Sequence, residues 1–169
     1  MSVDEHRARA EGLSALRAAV VTVSDTRTLD TDASGRAIIE LLERAGHRVA
    51  ERTIVPDDPE KISRVLGHWL DAEIEAVILT GGTGIAPRDG TVEVVRRVLD
   101  VELPGFGEIF RHLSWEQIGA AAFLSRALAG VARGKAVFSL PGSTTAVRLA
   151  MESLILPELS HIVSQLRGA

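Results

Sequence analysis

The chain contains no cysteine and no tyrosine, and aromatic residues make up only 4% of it. Without thiols there can be no disulfide, iron–sulfur cluster, thiolate zinc site or cysteine nucleophile. Long apolar runs are also missing, since none approaches the roughly 18 to 20 residues that a membrane helix needs. The opening Met-Ser-Val-Asp-Glu-His-Arg lacks the apolar centre of a secretory signal. A cytoplasmic protein without membrane contact is expected. His6, His47, His68, His112 and His161 show no zinc-hydrolase spacing, and there is no Gly-x-Ser-x-Gly elbow for a serine hydrolase. A net charge of −4 argues against nucleic acid as a partner, because such binding is held mainly by Lys and Arg contacts to phosphate. An anionic ligand would have to be held by local donors.

What is present is aliphatic. Hydrophobic residues account for 46% of the 169 positions, mostly Ala, Val, Ile and Leu, as in an α/β core. A chain of this size buries about 70% of its unfolded surface as one domain. Residues 1–14 are polar and charged and read as a flexible N-terminal arm, leaving 15–169 as a single α/β domain.

The most informative run is Ala76 to Val95: an apolar strand, the turn Gly81-Gly82-Thr83-Gly84, Arg88-Asp89, then a helix. Glycines let a backbone approach an anion closely and take positive φ, and the helix points unpaired N–H groups and its positive dipole end at the same spot. Arg88 can clamp a phosphate, and Asp89 offers a carboxylate to a metal or a proton. The turn is not a P-loop, because Ile-Ala-Pro follows Gly84 in place of Lys-Ser/Thr. It is not a dinucleotide fingerprint either, since Pro87 stands where a third glycine is needed. Its structural alternative is a tight strand-to-helix turn capped by Asp89 or Thr91.

The rest of the chain repeats the strand-to-helix alternation. Ala18 to Val23 predicts a buried strand, followed by Ser24-Asp25-Thr26-Arg27 and a helix capped by Ser34. His47 to Val55 predicts an edge strand. Asp58 caps the next helix with Pro59 at its first position, which leaves Asp57 without structural duty. Pro104 to Glu108 reads as a connection, and Trp115 to Ala132 as a small-residue helix suited to core packing or a subunit interface. Lys135 to Leu140 predicts a strand, Pro141 to Thr145 a loop with Ser143 and Thr144 as candidate caps, and Ala146 to Ile155 a helix. A further helical stretch is expected from Glu158 to Leu166.

Such alternation implies right-handed βαβ units and a mainly parallel sheet. Loops after parallel strands leave from one edge, where ligands of open α/β sheets bind. Ser24 to Arg27, Thr80 to Asp89 and Ser139 to Thr145 can therefore share one pocket, joined by Asp57. Asp57 and Asp89 suit Mg²⁺ bound to substrate phosphates, which often takes only one or two protein carboxylates.

The runs Leu79-Thr80-Gly81-Gly82-Thr83-Gly84 with Arg88-Asp89, Pro104-Gly105-Phe106-Gly107-Glu108, Leu124-Ser125-Arg126-Ala127 and Leu140-Pro141-Gly142-Ser143 closely resemble the MoaB/MogA family of molybdenum cofactor biosynthesis proteins. The similarity spans roughly Arg17 to Leu166, and Pro141 to Thr145 is of the MoaB type. The resemblance implies a three-layer α/β/α sandwich with a mostly parallel sheet, assembled into a homotrimer or homohexamer. It also implies Mg²⁺-dependent adenylylation of molybdopterin by ATP with release of pyrophosphate, Asp57 and Asp89 being the catalytic, metal-placing residues. Gly81, Gly82, Thr83 and Gly84 would hold phosphate, and Thr80 and Arg88 would belong to the same substrate site. Ser24, Asp25 and Thr26 would line the pocket with Ser139, Pro141, Gly142, Ser143 and Thr144, and Glu108 would contact pterin or ribose. A molybdopterin carrier or scaffold that does not turn over ATP is the alternative.

Overall fold

The computed structural model describes residues 15–168; the expected N-terminal arm lies outside them. Six strands form one sheet in the order β2-β1-β3-β6-β5-β4. These are β1 (Arg17–Val23), β2 (Arg48–Val55), β3 (Ala76–Thr80), β4 (Val101–Glu102), β5 (Leu128–Ala132) and β6 (Lys135–Leu140). β2, β1, β3 and β6 run parallel, whereas β5 and β4 add an antiparallel edge.

Helices cover both faces, giving the three layers expected. Period-two alternation sends Ala18 and Val20 to one face and Ala19 and Val21 to the other. The first face packs on α1 (Ala33–Arg44), α4 (Pro104–Ile118), α5 (Thr144–Ala150) and α6 (Leu156–Leu166). Here Phe106 lies on Phe110 and Phe138, with ring centroids 6.3 and 5.7 Å away. The second face packs on α2 (Pro59–Asp71) and α3 (Thr91–Val98), through Ile62, Leu66, Val92 and Val95. Burial on both faces explains why the central strands read as continuous apolar runs, while β2, at the edge, is only partly buried.

Four readings of the chain need correction. The cap of α1 is Asp32, whose carboxylate accepts from the Gly35 N–H, so Ser34 lies inside the helix. α3 begins after Gly90 with no side-chain cap, and neither Asp89 nor Thr91 supplies one. Pro104 to Glu108 is the opening of α4, with Pro104 in the first turn, where its missing N–H costs nothing. The stretch from Trp115 to Ala132 is not one helix. α4 ends at Ile118, Gly119 takes φ +60°, a 3₁₀ turn spans Gly119–Leu124, and β5 follows. The chain around Pro157 stays helical because a π-turn over Met151–Ile155 precedes it. Among the described residues no helix is long and apolar enough to cross a membrane.

Candidate functional site

β1 pairs with β2 on one side and β3 on the other, so the order reverses between β1 and β3. Ligands of parallel sheets bind at such a point, beyond the carboxyl ends of the strands. The loop after β3 crosses the end of β1 so tightly that a Cβ on Gly81 would stand 2.2 Å from the Val23 carbonyl oxygen. Gly81 has φ +100° and Gly82 φ +65°, a region that glycine enters without penalty. On its other side the Gly81 N–H donates to the Leu140 carbonyl at 3.0 Å, and the Thr80 hydroxyl donates to the Pro141 carbonyl at 2.8 Å. The three loops predicted to converge are thereby brought together, by the backbone and by the Thr80 hydroxyl.

The glycine loop has donors to spare. Among the described residues the N–H groups of Gly82, Thr83, Gly84 and Ile85 find no protein acceptor. Consecutive unpaired amides at a strand-to-helix junction form an anion-binding concavity. Thr91, first residue of α3, is fully buried with its hydroxyl unpartnered. That hydroxyl lies over Gly82, where a Cβ would approach it to 2.1 Å and the Asp57 Oδ2 to 3.1 Å.

Asp57 and Asp89 flank this loop, each with one oxygen held. Asp57 Oδ1 accepts from the Gly90 N–H at 3.4 Å, and Asp89 Oδ2 accepts from the Ala86 N–H at 2.8 Å. Asp57 Oδ2 and Asp89 Oδ1 have no hydrogen-bond partner among the described residues. Withdrawal from water pushes the Asp57 carboxyl above its ordinary range, and the charges of Asp89 and Asp25 push the same way, against the Gly90 N–H and Arg88. A site that disfavours its own carboxylate charge in this way favours a cation. No group of three or more His, Cys, Asp or Glu among the described residues is arranged to hold a metal alone. The donor set therefore fits Mg²⁺ arriving on phosphates, not a protein-only cage.

Asp25 ties the other loops together. Its Oδ1 accepts from the Asp57 N–H at 3.0 Å, and its Oδ2 pairs with Arg88 at 3.0 Å, so Arg88 has a carboxylate partner already. Arg88 is 69% exposed, and such pairs contribute less than ~1 kcal/mol, so an incoming phosphate can compete for it. Ser24 Oγ accepts from the N–H groups of Thr26 and Arg27 at 3.3 and 3.1 Å, shaping the loop after β1.

The remaining predicted residues divide. Ser143 is the cap of α5, its hydroxyl accepting from Ala146 N–H at 3.2 Å. Ser24, Thr80, Gly81 and Gly142 line one cavity of about 80 Å³, whereas Asp89 lines another of about 460 Å³ with Ile85, Pro87 and Arg126. Ser139 is fully buried in β6 with its hydroxyl unpartnered. Glu108 stands apart, in a cavity of about 300 Å³ between α4 and β5 that contains none of the other predicted site residues.

Several residues escaped sequence reasoning. Ser34 donates to the Gly142 carbonyl at 2.7 Å and lies 3.2 Å from the Thr144 hydroxyl, so it supports the third loop. Behind it the buried Asp32 takes the Thr22 hydroxyl at 2.7 Å and the Arg52 guanidinium at 2.8 Å. Burial would raise the Asp32 carboxyl, but the Gly35 N–H, Thr22 and Arg52 outweigh it and hold it below the ordinary range. Arg126 holds the glycine loop through its backbone carbonyls. In the sequence Ser34 was read only as a helix cap and Arg126 only as part of the Leu124-Ser125-Arg126-Ala127 run, while Asp32 and Arg52 gave no sign.

The chain matches, over residues 19–161, the family described as "Probable molybdopterin binding domain". It is 55% identical over 172 residues to the molybdenum cofactor biosynthesis protein B of Halalkalibacterium halodurans, covering 98% of each chain. A solved structure of a molybdenum cofactor biosynthesis protein B superposes with a TM-score of 0.90 at 49% identity, covering 92% of this chain and 98% of that one. The tungsten cofactor synthesizing protein MoaB of Pyrococcus furiosus superposes with a TM-score of 0.84 at 38% identity, over 92% of this chain and 99% of the other.

Proposed function

The chain belongs to the molybdopterin-binding domain family, and from that premise we propose that it adenylylates molybdopterin at the expense of Mg-ATP. Its place is in molybdenum cofactor biosynthesis, in line with its relatives. The observation that carries the finer reading is the row of unpaired N–H groups from Gly82 to Ile85 beside the open oxygens of Asp57 and Asp89. Donors for phosphate and acceptors for its counter-cation stand together, as transfer of a nucleotidyl group requires.

In this reading the terminal phosphate oxygen of molybdopterin attacks the α-phosphorus of ATP. The α–β bridging P–O bond breaks, and its electron pair leaves with pyrophosphate. The phosphate nucleophile is already anionic, so no side chain has to remove a proton. The chain's task is to align two polyanions and offset their repulsion. The loop amides and Arg88 bind phosphate oxygens, and Asp57 and Asp89 hold the cation side. Mg²⁺ would supply charge neutralisation on those phosphates when bound. The carboxyl-end loops of β1 and β6, from Ser24 and from Pro141, form the remaining walls. Self-association into a trimer or hexamer belongs to the same proposal.

The test is pyrophosphate release and formation of adenylylated pterin from molybdopterin and Mg-ATP, with Asp89→Asn beside the wild type. Product formation that falls about 10²-fold or more in a folded Asp89→Asn chain supports the assignment. Molybdopterin binding without pyrophosphate would make the protein a carrier, and an unaffected Asp89→Asn variant would remove Asp89 from the chemistry.

A further inference from the structure

The guanidinium of Arg126 meets the glycine loop at several points. Its Nε donates to the carbonyl oxygens of Gly84 at 2.9 Å and Thr83 at 3.4 Å, one NH₂ group donates to the carbonyl of Asp89 at 2.9 Å, and the other pairs with the Glu93 carboxylate on α3. Both ends of the loop that carries Asp89 therefore rest on one planar side chain. Arg126 itself sits in the link between the 3₁₀ turn and β5.

In a trans peptide the C=O and the following N–H point in opposite directions, and the chain has no cis bond among its described residues. Holding the carbonyls of Thr83, Gly84 and Asp89 toward Arg126 thus turns the N–H groups of Gly84, Ile85 and Gly90 away from it. For Gly90 the outcome is visible, because its N–H reaches Asp57 Oδ1 at 3.4 Å. The Gly84 and Ile85 groups are likewise turned away from Arg126 and have no acceptor in the protein.

We propose that Arg126 is the positioning residue of the phosphate loop: it fixes the backbone so that the Gly84 and Ile85 amides face a phosphoryl group beside Asp57 and Asp89. It touches no substrate. The inference rests on the phosphate-binding reading above. Lysine cannot take its place, because a single ammonium cannot span carbonyls at both ends of the loop as a planar five-donor group does.

Two readouts separate this inference from the reading beneath it. Backbone amide spectra of the wild type, Arg126→Gln and Arg126→Lys report the loop without any ligand, and titration with Mg-ATP reports phosphate binding. The Gly84 and Ile85 amide signals should shift on adding Mg-ATP to the wild type. In both variants the signals of residues 83–90 should move before any ligand is added, while the rest of the spectrum stays folded, and Mg-ATP affinity should fall about tenfold or more. Glu93→Gln keeps the carbonyl contacts and loses only a partly exposed ion pair, so its affinity should stay within about threefold of wild type. Loop signals unchanged in both Arg126 variants, or wild-type affinity in Arg126→Lys, would overturn the positioning role. A wild type that ignores Mg-ATP would sink the phosphate-loop reading instead, and the ligand-free spectra would still decide whether Arg126 sets the loop.

Discussion

The carbonyl oxygen of Val23 occupies the space that a side chain on Gly81 would need, 2.2 Å from an ideal Cβ. This close approach holds the loop after β3 over the end of β1, where the row of unpaired amides begins. Gly81→Ala meets both this backbone atom and φ +100°, and such strain alone costs roughly 1 to 3 kcal/mol. Denaturant unfolding should show a loss at or above that range, with weaker Mg-ATP binding in the fraction that folds. Gly105, in the first turn of α4, has nothing within 4 Å of a Cβ and no positive φ. Gly105→Ala should therefore leave stability unchanged or raise it by up to about 1 kcal/mol, as the better helix former.

Asp32 joins three elements, being the cap of α1, the acceptor for Thr22 on β1 and the partner of Arg52 on β2. Asp32→Ala removes the cap and leaves a largely buried guanidinium without its carboxylate, held only by the carbonyls of Leu29 and residue 32. The expected loss is about 3 kcal/mol by denaturant titration at neutral pH. Because the folded protein holds this carboxyl below its ordinary pKa, its contribution is complete above the unfolded value and disappears as pH falls through the folded one. Between neutrality and that acid limit, the difference between wild type and Asp32→Ala should shrink. A constant difference down to acid pH would contradict the ion-paired role.

The sheet and the glycine loop were legible because β1, β3 and β6 are buried on both faces and read as apolar runs ended by hydroxyl or glycine residues. The same logic placed Asp57 and Asp89, which stand where strands hand over to helices. It failed from Pro104 to Ala132, where the meaning of glycine depends on distant partners. Position 107 is glycine although it lies inside a helix, because a Cβ would come 2.8 Å from the Ala127 carbonyl. Gly130 is needed because a Cβ would come 2.5 Å from the Val101 carbonyl. β5 itself exists through pairing with Val101–Glu102 and with β6, which no local window reveals. Arg126 was missed for a similar reason, since its loop partners lie 37 to 43 residues earlier.

The small-residue stretch was expected to supply a packing face, but the structure puts a different surface there. Trp115 and Ile118 at the end of α4, with Phe123 and Leu124 in the turn beyond, are exposed, Phe123 by 74%. Apolar side chains gathered within ten residues of an exposed surface suit burial by another copy of the chain. Light scattering at micromolar concentration should give an oligomer for the wild type and a lower mass for the double variant Ile118→Glu, Phe123→Asp, with unchanged secondary structure. A wild-type monomer would remove the oligomer from the proposal.

Asp57 offers a test in which stability and activity part company. Its carboxyl is raised by withdrawal from water and by the charges of Asp89 and Asp25, so the fold binds this proton more tightly than the unfolded chain does. The resulting contribution is present below the unfolded value and lost as pH rises through the folded one; at neutral pH the ionised group is a burden on the fold. Asp57→Asn removes the charge and keeps an oxygen for the Gly90 N–H, so its thermal midpoint at neutral pH should rise. In the proposed reaction product formation should fall about 10²-fold or more, because the acceptor that would face the cation is weakened. A functional site that stores such repulsion is expected to trade stability for chemistry. If Asp57→Asn were less stable than wild type at neutral pH yet fully active, the carboxylate would be serving the fold and not the reaction.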